Sequence, residues 1–313
     1  MKAGAPSGLT SRLRSVVVGL VLTTAGTPGS LWSPPPLLGQ TVRYSGSISY
    51  STGSYVFAER THSFWLSNGL SVGGSKLSAS ATLPLIVQNS GVVSVVADQP
   101  VPTGGEGSGV VGRRSGDGPI GTRRRDGAGS GTGTTPTDSA VVFRDRYALE
   151  VGDPSLRVTY DAYSSSGFIR SVSLNLGAKA PLRGLESGVG TGEWDAGAGA
   201  SVALGVGSTW FFLDGAHWWF GDLPELELRD GVMYSAGVSR LFGESGTSLL
   251  ASVSGSSRIV PTAAAPVSVS VGLSRFLERG RSFSVGVTAG LSEASPDLSA
   301  YFGWSLPVGG SRT

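Results

Sequence analysis

Six polar side chains recur at alternate positions within apolar segments, and they are the main candidates for binding chemistry in this sequence. They are Arg43, Arg157, Asp161, Asn175, Lys179 and Asp195. Each lies between apolar or small residues, so a strand would place it on the face opposite to its neighbours. Charged groups on one face can select solutes by charge. They can also pair with one another and stiffen the wall that carries them. The sequence leaves both interpretations open.

The two histidines, His62 and His217, do not belong to a recognisable catalytic pattern. A hydrolytic site needs a nucleophile within hydrogen-bonding reach of its base. The pattern of outer-membrane phospholipases places a serine two residues after the histidine, but Phe64 and Trp219 occupy those positions here. The absence of Cys removes thiolate nucleophiles and metal ligands, and two His are too few for a dedicated transition-metal site. We therefore assign no catalytic residue, no metal and no cofactor, and predict that the chain is not an enzyme.

The segments that carry these residues are predicted to be β-strands. The chain has 313 residues with 49 Gly and only 15% charged residues, and Gly costs about 1 kcal/mol per helical position relative to Ala. From residue 40 onward, apolar residues alternate with Ser, Gly and Thr, as in residues 267–273 (VSVSVGL) and 172–176 (VSLNL). Period-two alternation is typical of strands with two unlike faces. The sequence therefore predicts an all-β fold.

The polar faces indicate which all-β fold it is. A soluble sandwich covers its outer faces with Lys, Glu and Arg, whereas here the polar faces carry small hydroxyls. In a transmembrane barrel the apolar face contacts lipid and the other face lines the interior. We predict an antiparallel up-and-down barrel of about twelve strands. The predicted strands are residues 40–51, 61–72, 76–87, 155–163, 168–180, 194–205, 208–220, 230–242, 247–257, 266–277, 282–291 and 297–307.

The connections between these predicted strands are alternately short and long, which is typical of outer-membrane barrels with short periplasmic turns and longer outer loops. The longest connection, residues 88–154, contains a Gly/Arg-rich low-complexity stretch at 104–137 that we expect to be disordered and extracellular. Residues 40–313 form the predicted barrel, 30–39 a linker and 1–29 a secretory signal peptide with an apolar run after basic residues.

This layout predicts a location in the outer membrane of a Gram-negative-type bacterium. The expected partners are outer-membrane lipid and lipopolysaccharide, the barrel-insertion machinery and small solutes. The net charge of +2 is not concentrated on any predicted strand, so no nucleic-acid partner is expected.

Aromatic residues are expected near the rims of the barrel, where their rings favour the headgroup region. Tyr55, Phe64, Trp194 and Trp218 are assigned to the outer rim. The predicted strand 208–220 is apolar on both faces, and its bulky inward residues predict a constriction or a contact with a plug.

The segments GDPSLRVTY (152–160) and LNLGAKAPLRGLESGVGTGEWDAGAGASVAL (174–204) resemble an outer-membrane family named for the MetA pathway of phenol degradation. The matching motifs are Gly152-Asp153, Lys179-Ala180-Pro181 and Gly190-Thr191-Gly192 through Asp195. The resemblance covers roughly residues 150–220. It implies an outer-membrane barrel that passes small aromatic or apolar compounds, and it carries over no functional residues.

The preferred interpretation is a porin-like barrel for the passive passage of small solutes, with weak ion selectivity because dense charge rings are missing from the predicted interior. One alternative is a structural or surface-interaction barrel with a closed lumen. A second is an outer-membrane hydrolase that uses His62 or His217. The sequence leaves open the solute, the state of the lumen and the oligomeric state.

Overall fold

The computed structural model describes residues 41–55, 60–89, 93–96, 99–102, 147–182, 189–221, 228–243, 246–261 and 263–308. The predicted signal peptide (1–29), the linker (30–39) and the Gly/Arg-rich loop (104–137) lie outside these residues. The described part is almost entirely β-structure, with one short 3-10 helix at Glu278–Gly280. No helix within it is long and apolar enough to cross a bilayer.

The chain forms β1 (Thr41–Gly53), β2 (Thr61–Gly73), β3 (Leu77–Gln88), β4 (Val93–Val96), β5 (Gln99–Pro102), β6 (Ala148–Val151), β7 (Ser155–Ser164), β8 (Ile169–Lys179), β9 (Asp195–Val206), β10 (Thr209–Trp219), β11 (Gly231–Phe242), β12 (Thr247–Ser256), β13 (Val267–Phe276), β14 (Ser282–Gly290) and β15 (Leu298–Val308).

Twelve of these strands close into a barrel. The main sheet has the order β2-β1-β15-β14-β13-β12-β11-β10-β9-β8-β7-β3-β6, and a further pairing of β2 with β3 closes the ring. All of the pairings are antiparallel, and β1 pairs with β15 over Val42 to Thr52. β6 extends the wall beyond the end of β7 by pairing with β3. The predicted up-and-down transmembrane barrel is confirmed.

The twelve barrel strands match the predicted ones to within two residues at each end. The sequence prediction missed β4, β5 and β6, which all lie in the connection 88–154. Each of these strands is four residues long, too short for alternation to distinguish it from a loop. β4 and β5 form a separate two-stranded hairpin.

The two faces of the wall differ as the alternation predicts. On β1, Ile48 is 52% exposed while its neighbours Ser47 and Ser49 are 3% and 5% exposed. On β9, Asp195 and Ser201 are buried, whereas Trp194, just before the strand, is exposed. Large apolar side chains therefore cover the outside, and small polar ones line the inside.

The two ends of the barrel are unlike. At one end the strands are joined by short turns at residues 74–76, 165–168, 207–208, 243–246 and 277–281. Two of these turns place Gly207 and Gly243 at φ of 59° and 53°, a conformation that favours glycine. The longer connections all lie at the other end. We call the two ends the short-turn end and the long-loop end.

Closure of the barrel can be tested by a cross-link between its first and last strands. Ser51 and Ser299 face each other in the β1–β15 register, and such partners lie about 4.5–5.5 Å apart at Cα, within reach of a disulfide. Because the chain has no Cys, Ser51→Cys/Ser299→Cys should form a single intramolecular disulfide. The cross-linked chain should migrate faster in non-reducing denaturing gels than after reduction.

Ser51→Cys/Ser268→Cys serves as the control because Ser268 lies on β13, which does not pair with β1. An efficient cross-link in the control, or none in the test pair, would contradict the closed register.

Candidate functional site: the barrel interior

A belt of polar side chains crosses the inner wall from β7 to β11. The Thr159 hydroxyl donates to Asn175 Oδ1 (2.9 Å), and Asn175 Nδ2 donates to Ser201 Oγ (2.8 Å). Ser201 pairs in register with Asp214 on β10, whose Oδ2 accepts from Ser235 Oγ at 3.0 Å. These contacts join five adjacent strands through side chains as well as backbone.

Two more of the predicted polar residues lie close to this belt. Asp161 Oδ1 accepts a 2.7 Å hydrogen bond from Ser173 Oγ. Arg157 interacts electrostatically with Asp214, so this part of the interior contains one cation, Arg157, and two carboxylates, those of Asp161 and Asp214. The Oδ1 atom of Asp214 is buried and makes no hydrogen bond with the described residues.

A buried ion cluster lies at the long-loop end, centred on Lys179. Lys179 Nζ lies 3.0 Å from Asp153 Oδ2 and 3.3 Å from Asp195 Oδ2, and it donates to Thr191 Oγ1 at 2.6 Å. The three charged side chains are at most 2% exposed. Buried charges are tolerated only when they are paired and hydrogen-bonded, and the ammonium here has three oxygen partners.

The cluster also fixes the backbone of the connections around it. Asp153 Oδ1 accepts from the Leu182 amide at 2.8 Å, and Asp195 Oδ1 accepts from the Gly221 amide at 3.3 Å. The two carboxylates therefore tie the β8–β9 and β10–β11 connections to the barrel wall.

A bulge in the wall places Asp153 in this cluster. Val151 of β6 pairs with Leu85, and Ser155 of β7 pairs with Thr82, so three residues of one strand oppose two residues of β3. An extra residue of this kind re-aims the side chains next to it.

The residues of the cluster are those that carry the family resemblance noted above. Asp153 belongs to the Gly-Asp motif, Lys179 to the Lys-x-Pro motif, and Thr191 and Asp195 to the Gly-Thr-Gly-x-x-Asp motif. Three motifs that are far apart in sequence therefore share one structural role, which is to hold the loops at this end of the barrel.

An apolar cluster narrows the long-loop end of the interior. Side chains from the barrel wall meet side chains from the connections in one buried group. Its members are Tyr55, Val93, Val101, Trp218, Phe220, Leu228, Met233, Ile259, Val260, Ala263 and Ala294. We call this group the mouth cluster. It accounts for the bulky inward residues predicted for strand 208–220, because Trp218 is one of its members.

The β4–β5 hairpin contributes to the mouth cluster through Val93 and Val101. Gln88 links the hairpin to the wall, since its side-chain amide donates to the Val93 carbonyl at 3.3 Å and its Oε1 accepts from Ser63 Oγ at 3.4 Å. Pro100 lines a small cleft together with Ser268 of the inner wall. The hairpin is therefore folded into the barrel and does not extend away from it.

Trp218 fits against the wall because its neighbours lack side chains. A Cβ at Gly197 would lie 2.5 Å from indole carbons of Trp218, and a Cβ at Gly177 would lie 2.8 Å from its Cη2. Tyr55, at φ of 47°, is also buried, and burial raises the pKa of its hydroxyl above the usual range. The prediction that Tyr55 and Trp218 lie at the lipid-facing rim is therefore wrong, because both are buried in the mouth cluster.

The short-turn end has its own contacts. Arg43 donates from Nε and Nη2 to Ser305 Oγ at 3.0 and 2.9 Å and also donates to the Gly280 carbonyl. Arg170 stacks over the ring of Trp210, with its guanidinium carbon 5.3 Å from the ring centroid. Trp210 packs on a second, smaller apolar cluster of Ala203, Phe212 and Leu250.

The histidines lie apart from the interior. His62 Nδ1 is 2.7 Å from the Tyr50 hydroxyl, and His217 packs edge-on against Trp219. Neither ring contacts a serine hydroxyl among the residues that the structure describes, so no Ser-His pair is formed there.

The six predicted binding residues thus fall into three places. Lys179 and Asp195 meet in the ion cluster, Arg157, Asp161 and Asn175 lie at or near the polar belt, and Arg43 lies alone at the short-turn end. The sequence analysis did not identify Asp153 and Thr191 as partners of Lys179, or Asp214 as a member of the polar belt. The first two belong to the quoted motifs, and Asp214 lies on an inward position of its strand.

Removing the charge at Lys179 should destabilise the barrel. Lys179→Met leaves two buried carboxylates without their cation, which we expect to cost about 3–5 kcal/mol. The free energy of unfolding can be measured by guanidinium titration in phospholipid vesicles, followed by tryptophan fluorescence. Lys179→Met/Asp153→Asn/Asp195→Asn should recover much of the loss because no unpaired charge remains.

Lys76→Met is the matched control, since Lys76 is exposed in a short turn and its substitution should change stability by no more than about 0.5 kcal/mol. Equal effects of Lys179→Met and Lys76→Met would show that the cluster does not hold the loops.

Comparison with known proteins identifies the fold only. No family model and no curated protein sequence matches the chain. The crystal structure of an outer membrane channel from Pseudomonas putida F1 is similar with a TM-score of 0.56 and 12% identity, covering 88% of this chain and 97% of that one.

Two further structures are more distant. The translocator domain of the autotransporter NalP from Neisseria meningitidis has a TM-score of 0.42 and 11% identity, covering 86% of this chain and 88% of that one. The toluene transporter TodX from P. putida has a TM-score of 0.39 and 11% identity, covering 88% of this chain and 91% of that one. The chain thus shares the fold of an outer-membrane channel, while its membership of the MetA-pathway family stays a prediction.

Proposed function

We propose that this protein is an outer-membrane channel that allows small aromatic or apolar compounds to pass without an energy source. The observation that carries the proposal is the contrast within its interior. A polar belt of hydroxyls and amides, together with Asp214 and the nearby Arg157, lines the middle, whereas an aromatic and aliphatic cluster narrows the long-loop end. A wall of this kind admits water in the middle and favours apolar solutes at the mouth.

The location follows from the same features. A closed strand wall with an apolar exterior is suited to a bilayer. With the short-turn end facing the periplasm, the long loops and the mouth cluster face the outside of the cell, next to lipopolysaccharide. Insertion by the barrel-assembly machinery is part of this proposal. The motifs shared with the MetA-pathway family agree with it, and so does the fold shared with the P. putida channel.

Ion selectivity should be weak. The charges in the interior are largely compensated, because Arg157 interacts with Asp214 and Lys179 is held by two carboxylates. Strong selectivity needs a ring of charges of one sign along the path, and the described wall carries no such ring.

The buried mouth cluster also favours a second candidate, a structural or surface-interaction barrel with a closed lumen. In that case the cluster would be a permanent seal. In the channel, the cluster is a constriction that small solutes pass, and reducing its bulk should speed their passage.

The variant Trp218→Ala distinguishes an open channel from a closed structural barrel. Trp218 is 4% exposed within the mouth cluster, whereas its neighbour Trp219 is 48% exposed on the opposite face, so Trp219→Ala is a matched control. In swelling assays with proteoliposomes in isotonic arabinose, the wild type should swell faster than protein-free liposomes. Trp218→Ala should raise the rate several-fold because the bulkiest side chain of the constriction is gone, and Trp219→Ala should leave it unchanged.

Swelling in phenylalanine relative to leucine tests the preference for an aromatic ring, which we expect to weaken in Trp218→Ala. Correct folding of each variant is verified by heat-modifiable gel migration. If neither the wild type nor folded Trp218→Ala swells faster than protein-free liposomes, the barrel is closed and the proposed function is wrong.

A further inference from the structure

We propose that Arg240 and Arg275 form a binding site on the outside of the barrel for the phosphate of an anionic phospholipid. The proposal concerns the lipid-facing surface and does not depend on what passes through the interior. It uses the membrane orientation given above, with the short-turn end toward the periplasm.

The two arginines are exceptional for their position. Across the twelve barrel strands as described, the lipid-facing positions are filled by apolar, small or aromatic residues, apart from Asn68 of β2 and from His62 and His217 near the long-loop end. Arg240 and Arg275 are the two Lys, Arg, Asp or Glu residues in these strands that combine an exposed side chain with a lipid-facing position. All other charged residues of the barrel strands point inward or pack on inner-wall residues.

The register places the two arginines on either side of β12, near its beginning. Arg240 of β11 pairs with Leu249 of β12, and Arg275 of β13 pairs with Thr247, two residues before Leu249 on the same strand. β12 therefore runs between them. Two strand spacings of about 4.8 Å, combined with an offset of about 6.6 Å along the strand direction, separate the two Cα atoms by roughly 12 Å. Long arginine side chains can reach across such a gap to one headgroup.

The flanking residues match the rest of a lipid molecule. Arg275 pairs in register with Phe283 of β14, and Phe211 of β10 lies on the other side of Arg240, two positions from its partner Thr209. Leu249, between the arginines, is 42% exposed. Exposed Phe211, Leu249 and Phe283 offer an apolar surface for acyl chains directly beside the two guanidinium groups.

The depth of the two arginines suits an anionic headgroup. An arginine on the lipid face costs about 2–4 kcal/mol at the bilayer midplane and about 0–1 kcal/mol near the interface, so the pair marks the headgroup level at the short-turn end. Neither guanidinium makes an ion pair or side-chain hydrogen bond with any residue that the structure describes. Phosphate oxygens suit the planar donor fork of arginine, and a phospholipid supplies them at this depth.

A lipid, and not free phosphate, is the proposed ligand because the site combines cations with adjoining apolar surface. Inorganic phosphate would use only the two guanidinium groups, which are exposed to competing water and salt. A phospholipid of net negative charge adds contacts between its acyl chains and Leu249 and the two phenylalanines. It also lies in the periplasmic leaflet, at the level of the two arginines.

The test measures lipid binding to the purified full-length chain in detergent micelles. Native mass spectrometry is used to titrate dioleoylphosphatidylglycerol, with dioleoylphosphatidylcholine and inorganic phosphate as separate arms. The test variant is Arg240→Gln/Arg275→Gln. The matched control is Arg229→Gln/Arg258→Gln, which removes the same charge from two exposed arginines at the long-loop end.

The wild type should retain phosphatidylglycerol in preference to phosphatidylcholine, and millimolar phosphate should not displace it. Arg240→Gln/Arg275→Gln should bind about 30-fold more weakly, which corresponds to about 1 kcal/mol for each arginine near an anionic lipid. The control should bind as the wild type does. Arg240→Lys/Arg275→Lys, which keeps the charge, should lie between the wild type and the glutamine variant.

Three results would overturn the proposal. They are wild-type binding by Arg240→Gln/Arg275→Gln, an equal loss in the control variant, and displacement of the lipid by inorganic phosphate. Folding of each variant is established beforehand by heat-modifiable gel migration. If the glutamine variant does not fold, lipid binding by the lysine variant is compared with that of the wild type instead. None of these measurements involves solute passage, so their outcome is separate from that of the swelling assays.

Discussion

The structure depends on the need to pair every backbone amide and carbonyl inside a membrane without help from water. An unpaired peptide group costs several kcal/mol in hydrocarbon, and an open sheet would leave two edges of such groups. The pairings of β1 with β15 and of β2 with β3 remove both edges. Closure then divides every strand into a lipid face and an interior face. This division explains why Ile48 is exposed while Ser47 and Ser49 are buried.

The small size of the interior residues has a second consequence. Because Gly177 and Gly197 leave space on the wall, the indole of Trp218 can lie flat against it and meet side chains from the connections. The Lys179 cluster fixes those connections through the Leu182 and Gly221 amides. Loop position, mouth cluster and ion cluster thus support one another, and together they turn a simple wall into a barrel with a narrowed outer end.

The regular part of this architecture could be predicted from the sequence because it rests on local alternation. The alternation of apolar and small polar residues predicted the twelve barrel strands and their faces, including the inward positions of Lys179 and Asp195. The parts that were missed depend on contacts between distant segments. A one-residue bulge brings Asp153 to Lys179, and the hairpin of β4 and β5 is held by Gln88 and by the mouth cluster. Tyr55 was misplaced for the same reason, since an aromatic near a strand end fits a rim or a plug equally well.

The central claim is that the interior provides an aqueous path with a wall distinct from the lipid face, and cysteine accessibility tests it most directly in this Cys-free chain. Ser252 and Val253 are neighbours on β12 with inward and lipid-facing side chains. In a planar bilayer, a membrane-impermeant methanethiosulfonate reagent should react with Ser252→Cys and reduce the conductance, while Val253→Cys should not respond. An unreactive Ser252→Cys together with a reactive Val253→Cys would contradict the account.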